Sequence, residues 1–376
     1  MEALTGNPFI TIGYMGKDYF CDRKKETDQL IGLLTNGNDT ALISPRRMGK
    51  SGLIRHCFED ERIKGRYLTF YIDIYATASL DEFVTVLGKE IIEQLKPIGV
   101  KALEKFTSIV RSLQSGISFD AAGNPSFILQ PGEIRNSSTS ISEIFEYLEN
   151  ADKPCIVAID EFQQISAYPE KNVEAILRTY IQRCRNSRFL FSGSERHMMS
   201  NIFLTPSRPF YQSTSMMGLS PIPVQAYHEF ASRHLSKKSL TISEDTFRYI
   251  YDKFDGVTWY IQKTLNILYM TSESGTNISE EGVDRALDYI IDGFSYNYMD
   301  ILSRIPPKQR EILIAIAKEG KAQALTGVRF IRKYALGSSS SVQGAVRGLL
   351  KSDFITSENG IWYVYDYFFS LWLKRL

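Results

Sequence analysis

The chain has 376 residues, 43% of them hydrophobic and 23% charged, with a formal net charge of +1. That balance excludes a disordered or collagen-like polymer, and the length suits two or three globular domains. No apolar stretch approaches the ~18 residues needed to span a bilayer, no signal peptide opens the chain, and Cys21, Cys57, Cys155 and Cys184 lack metal-ligand or disulfide spacing, so a cytoplasmic location without membrane contact is expected.

In chain order, residues 7–20 are rich in aromatics and glycine and read as a short hairpin or loop. Asp22 to Glu26 opens a helix that carries Leu30, Leu33 and Leu34 on one side. The apolar run Thr40-Ala41-Leu42-Ile43 predicts a strand. It leads into Ser44-Pro45-Arg46-Arg47-Met48-Gly49-Lys50-Ser51-Gly52, and a helix should continue to about Glu59. Strand, loop and helix ending in Gly-Lys-Ser are the second half of a phosphate-binding loop, G-x-x-x-x-G-K-[ST]. Backbone N–H groups at a helix N-terminus wrap a phosphate, and Gly49 has no side chain to obstruct it. Lys50 is expected on the β- and γ-phosphates and Ser51 on Mg²⁺, with Arg46, Arg47, Met48 and Gly52 completing the cradle. The motif's first glycine is replaced by Ser44, and Pro45 removes one N–H.

A second strand is predicted over 67–74, a helix over 79–95, a hairpin over 115–130 and a helix over 140–148. Lys153 to Glu161 is a continuous apolar run ending in two carboxylates, the pattern of a strand buried on both faces of a parallel sheet. Carboxylates at such a strand's carboxyl end sit where open α/β sheets bind ligands. Asp160 is the candidate Mg²⁺ holder and Glu161 the candidate base that polarises an attacking water. A helix over about 173–185 and strands over 188–195, the first ending in small polar residues, and 215–219 complete an alternating pattern. A five-stranded, doubly wound parallel sheet follows from it.

After Pro221-Ile222-Pro223 the pattern becomes all helical, with starts near Val224, Ser243, Val257 and Ser279. The Pro306-Pro307 pair marks a further boundary. Three helices then precede two β-prone runs around Ser357-Glu358-Asn359-Gly360, the order of a winged helix. The expected division is therefore 1–220 for the sheet domain, 221–305 for a helical lid and 306–376 for the winged helix. The last part carries 11 Lys and Arg against 5 Asp and Glu, with Gln343, Arg347 and Lys351 on its third helix. An anionic partner such as DNA, or a protein partner with these charges simply solvated, would both suit it. The aromatic residues Tyr363 to Trp372 are expected to pack their own domain rather than stack bases.

The ordered set Asp22-Arg23 with Glu26, Pro45 to Ser51, Ile159-Asp160-Glu161-Phe162, Ser192-Gly193-Ser194, Pro209-Phe210-Tyr211 and Tyr365 to Phe368 with Trp372 resembles the archaeal-type, AAA+-related P-loop ATPases of the STAND/MNS branch. The resemblance covers nearly the whole chain. It implies an ASCE/AAA+-like α/β sheet, ATP rather than GTP as the nucleotide, Mg²⁺, and hydrolysis to ADP and phosphate coupled to lid and winged-helix movement. It also implies that Ser192 or Ser194 is a polar sensor and that Arg23 frames the adenine end. Where the family often places an arginine after Pro-aromatic-Tyr this chain has Ser213, so Arg208 is the candidate substitute. Thr258 stands where a lid proline is expected. A slow or non-hydrolysing nucleotide switch, or an ATP-regulated DNA-binding protein, are the alternatives, and an oligomer is compatible with all three.

Overall fold

The computed structural model describes residues 6–119, 125–127 and 137–376. They fall into two compact units, one of residues 12–222 and one of the remaining residues, so the chain passes between units twice, after Thr11 and after Ile222.

The first unit alternates helices and strands: α1 (Lys24–Thr35), β1 (Thr40–Ile43), α2 (Lys50–Phe58), β2 (Leu68–Asp73), α3 (Leu80–Leu95), α4 (Val100–Ile109), β3 (Ile117–Phe119), β4 (Pro125–Phe127), α5 (Ser137–Glu149), β5 (Cys155–Asp160), α6 (Val173–Arg183), β6 (Ser187–Gly193), α7 (Arg196–Leu204) and β7 (Ser215–Gly218). Five strands form one parallel sheet in the order β2-β5-β6-β1-β7. Successive side chains of a strand point to opposite faces. Cys155, Val157 and Ile159 accordingly enter the core beside α3, α5 and α7, while Ile156 and Ala158 enter the one beside α1 and α2. Burial on both faces is why β5 is apolar at every position until Asp160.

β2 is an edge strand, and its exposed ladder is closed by a side chain. Gln94 accepts from the Tyr71 N–H through Oε1 at 2.7 Å and donates to the Tyr71 carbonyl through Nε2 at 3.0 Å. The α3 N-terminus follows its sequence signal, since the Ser79 hydroxyl accepts from the Glu82 N–H.

Several expectations change in detail. Residues 7–20 hold only a single helical turn at Lys17–Tyr19, and no strand. α4 and α7 are helices that the periodicity did not predict. α4 is short and buries only Leu103 and Phe106, and α7 lies in a run interrupted by polar residues. β3 and β4 pair antiparallel as the predicted hairpin, but its turn, with Asp120, Gly123 and Asn124, lies outside the described residues.

The second unit holds α8 (Val224–Leu235), β8 (Thr241–Ile242), α9 (Glu244–Lys253), α10 (Thr258–Thr271), β9 (Asn277–Ile278), α11 (Glu280–Arg304), α12 (Pro307–Glu319), β10 (Ala322–Gln323), α13 (Val328–Lys333), α14 (Ser339–Lys351), β11 (Ile355–Glu358), β12 (Ile361–Val364) and α15 (Tyr367–Leu373). α12 to α14 with the three-stranded sheet β10-β12-β11 make the winged helix. Pro306 is the N-cap of α12 and Pro307 its first residue, a position where proline is tolerated. Phe368, Phe369, Trp372 and Leu373 are buried, as the core reading of the terminal aromatics requires. Asp255 binds both the Tyr367 hydroxyl at 2.8 Å and Lys321 at 2.6 Å. Phe9 packs edge-on against Phe230 and Tyr269, and the Asn7 and Asn266 side chains cross-bond to Asn266 and Phe9 carbonyls. Among the described residues no helix is long and apolar enough to cross a membrane.

Asp39, just before β1, ties three strands together. Its carboxylate accepts from the Phe189 N–H at 2.8 Å and its carbonyl from the Ser215 N–H at 2.8 Å. Burial pushes its carboxyl up to about 6, against the Phe189 N–H and the Arg188 charge. A carboxyl raised in the folded state stabilises below its ordinary value of 3.8 and loses that contribution as pH climbs through about 6. An uncharged amide keeps the same acceptor. Asp39→Asn should therefore be more stable than the parent at pH 8, by about 1–2 kcal/mol after allowance for solvent, and should gain nothing at pH 4. Urea midpoints at the two pH values measure this, and equal differences at both would contradict it.

Candidate functional site

The carboxyl ends of β1, β5 and β6 meet at the loop 44–49. Ile43 lies opposite Gly193, and Ile159 opposite Phe191, so the residues following all three strands emerge side by side. The loop turns through left-handed backbone at Arg47 (φ 70°) and Gly49 (φ 92°) before α2 begins at Lys50. Gly49 needs its lack of Cβ for this conformation, and a Cβ added there would meet no neighbouring atom within 4 Å, so the space before the helix N-terminus is open. The N-terminus of α2 supplies free N–H groups and the positive end of the helix dipole to that space.

Lys50 is 5% exposed, and its ammonium donates to the Ser44 and Pro45 carbonyls at 2.8 and 3.0 Å. Burial pulls its pKa down, and the nearby Glu161 and Asp160 charges pull it back up. Pro45 thus fits the loop: its carbonyl is used by Lys50, and its missing N–H costs no hydrogen bond in the strand ladder, which has ended at Ile43.

Asp160 is 4% exposed. Its Oδ2 accepts from Ser51 Oγ at 2.8 Å and from the Tyr71 hydroxyl, and its Oδ1 accepts from the Glu161 N–H at 3.0 Å. Burial and the Asp160 charge push the Tyr71 phenol up, so it remains a donor at neutral pH. A serine hydroxyl and a carboxylate this close are hard oxygen donors suited to Mg²⁺, which takes one or two carboxylates and completes its shell with water and phosphate oxygens. Asp73, in register with Asp160 at the end of β2, is pushed up chiefly by burial and also by the Asp160 and Glu161 charges. Among the described residues no group of three or more His, Cys, Asp or Glu forms a self-sufficient metal cage.

Glu161 sits in left-handed backbone (φ 56°), and the next residue, Phe162, is wholly buried. Phe162 packs with Phe191, Phe203 and Phe210, which explains the aromatic of Pro209-Phe210-Tyr211 as an anchor beneath the acid pair. Anchoring of that kind holds an unfavourable backbone conformation in place. Oε2 of Glu161 accepts from Ser194 Oγ at 2.8 Å and from the Gln163 side-chain amide. Ser194 in turn accepts from Arg46 Nε at 3.3 Å, and Arg46 reaches Glu195 at 3.7 Å. The loop, the acid pair and the end of β6 are thereby one hydrogen-bonded network. A Cβ on Gly193 would lie 2.5 Å from Gln163 Oε1, so glycine there makes room for the Gln163 side chain.

Ser192, Arg208 and Arg23 each sit in a different setting. Ser192 is fully buried inside β6, one residue before the strand ends, and among the described residues its hydroxyl has no hydrogen-bond partner. Ser194, past the strand's end, is the serine that reaches Glu161. Arg208 is ion-paired with Glu174 of α6 instead of joining the acid pair. Arg23 is 3% exposed. It donates to Glu26 at 2.7 Å, the Ser220 carbonyl at 2.5 Å and the Met48 carbonyl at 3.1 Å, and so fastens the loop. Sequence reasoning missed Tyr71 and Gln163, which signal only as polar atoms flanking an apolar run.

Residues 20–264 match the family model described as an ATPase domain predominantly from Archaea, and residues 296–375 match that of a probable winged helix domain. An uncharacterized ATP-binding protein of Methanocaldococcus jannaschii is 26% identical over 151 residues, 39% of this chain and 41% of that protein. The chain spans about two fifths of the length of the curated relatives it matches. Among solved structures, the Walker-type ATPase of Pyrococcus abyssi superposes with a TM-score of 0.67 at 19% identity, covering 98% of this chain and 99% of the other. The ORC2 protein of Aeropyrum pernix, in ADPNP–ADP complexes, gives a TM-score of 0.59 at 12% identity, covering 98% and 95%. Identities this low establish a shared fold.

The Arg23 contacts carry a measurable consequence. Arg23→Met removes a buried cation whose three acceptors, Glu26 and two carbonyls, then lose their donor. The expected loss is about 2–4 kcal/mol of stability in urea titration. A loss under about 0.5 kcal/mol, the range of an ordinary surface substitution, would show that these bonds do not hold the loop.

Proposed function

This chain belongs to the family of ATPase domains found predominantly in Archaea, and from that premise we propose that it binds ATP at residues 44–51 and hydrolyses it to ADP and phosphate. The observation that carries the reading is the hydrogen-bonded chain from Ser51 through Asp160 to Glu161, with the Lys50 ammonium within reach of both acids' charges, at the carboxyl ends of parallel strands. Loop N–H groups and Lys50 bind the phosphates; Ser51 and Asp160 hold Mg²⁺. Bound there, Mg²⁺ would neutralise charge on the phosphate oxygens. Glu161 orients the attacking water and takes its proton, while Ser194 and Gln163 fix the carboxylate's direction. The names of the curated relatives, ATP-binding proteins, support the nucleotide.

Two variants test the assignment. Lys50→Ala should weaken ATP binding at least about 100-fold in a fluorescent-nucleotide titration, since it removes a buried charge-assisted contact. Glu161→Gln should retain ATP and slow phosphate release by about 10²–10⁴-fold. Unchanged turnover in Glu161→Gln would remove that residue from the chemistry.

The Arg208–Glu174 pair favours a second reading, a slow nucleotide-gated switch, because that ion pair engages the arginine expected to stabilise transition-state charge. In either reading the helical residues 221–305 act as the lid and the winged helix 306–376 as the part that transmits nucleotide state to a partner. Gln343, Arg347 and Lys351 lie exposed on α14, opposite its buried Val342, Ala345, Val346 and Leu349. That exposed face suits DNA phosphates or an acidic protein surface. Duplex DNA binding whose affinity falls steeply with salt would support DNA, and binding indifferent to salt would count against it.

A further inference from the structure

The Asp160 carboxylate does more than offer an oxygen to a cation. A hydroxyl has one hydrogen to donate and two lone pairs to give. Ser51 spends its hydrogen on Asp160 Oδ2, at 2.8 Å, so its lone pairs are left facing away from the acid. That orientation lasts only while Oδ2 stays where it is. The Tyr71 hydroxyl donates to the same oxygen, and Glu161 N–H holds the other.

Tyr71 is itself fixed from three sides. Gln94 binds both its N–H and its carbonyl, on an edge strand with no neighbour there to do so. The Arg55 guanidinium, from the phosphate-loop helix, lies 4.2 Å over its ring. In register, Tyr71 pairs with Ala158, two residues before the acid, so its side chain projects from the neighbouring strand across the end of β5.

We propose that Tyr71 is the positioning residue of the metal site: through Asp160 it aims the Ser51 lone pairs at Mg²⁺, and it contributes to cation affinity without touching cation or nucleotide. This rests on the nucleotide-site reading above. Partners one step removed from a metal commonly set its affinity by ten- to a hundredfold.

The test is Tyr71→Phe, which removes one oxygen and keeps the ring under Arg55. Nucleotide affinity is measured for the full chain with ADP in EDTA, and cation affinity by titrating Mn²⁺ into the ADP complex under electron paramagnetic resonance. The expected result is ADP affinity in EDTA within about twofold of the parent and Mn²⁺ affinity about tenfold lower. Mn²⁺ affinity within twofold of the parent overturns the proposal. So does a parallel loss of ADP affinity in EDTA, which would mean that Tyr71 only supports the fold. Failure of the parent itself to bind ADP both in EDTA and with Mg²⁺ overturns the nucleotide site as well, and is thereby distinguished from failure of the Tyr71 role.

Discussion

The structure of the site depends on one hydrogen bond, from Ser51 Oγ to Asp160 Oδ2 at 2.8 Å, between residues 109 positions apart in the chain. It forms because β6 lies between β1 and β5 and all three run parallel, so that their carboxyl ends open on one edge. A parallel sheet of this kind must be buried on both faces, and the alternation of β5 residues between two cores provides that burial. The loop, the acid pair and Ser194 are held in register by packing that contains no polar chemistry of its own.

Burial sets the electrostatics. Lys50 and Asp160 are nearly inaccessible, each at 5% or less, and a buried charge is tolerable only when it is paired and hydrogen-bonded. Here the ammonium is held by two carbonyls and the carboxylate by three donors. Groups held in fixed directions are what the proposed phosphate site requires, since preorganised donors stabilise charge at little reorganisation cost. Arg23 extends the same logic, since a buried guanidinium satisfies carbonyls from two segments that backbone pairing leaves open.

Much of this was legible in the sequence, for reasons that differ by element. β1, β5 and β6 are short apolar runs bounded by polar turns, a local signal, and the parallel sheet followed from their alternation with helices. α4 and α7 were not legible, because short helices with few buried positions give little periodicity and owe their stability to packing. Of the site, the glycine, lysine and serine of the loop and the paired acids carry chemistry in their identities. Tyr71, Gln163 and Arg23 do not, as their roles exist only where another strand or loop supplies the partner atom.

The sequence by itself determined which groups could bind a phosphate and a cation, because backbone N–H donors, an ammonium, a hydroxyl and two carboxylates are fixed by composition and local order. Tertiary structure alone decided which of them meet. The end of β6 at Gly193 left Ser192 buried inside the strand and Ser194 beyond it on Glu161, and an acid on α6 claimed Arg208. The physical reason is that a hydrogen bond or ion pair depends on distances of about 3 Å, and only the packed chain sets distances between residues remote in sequence.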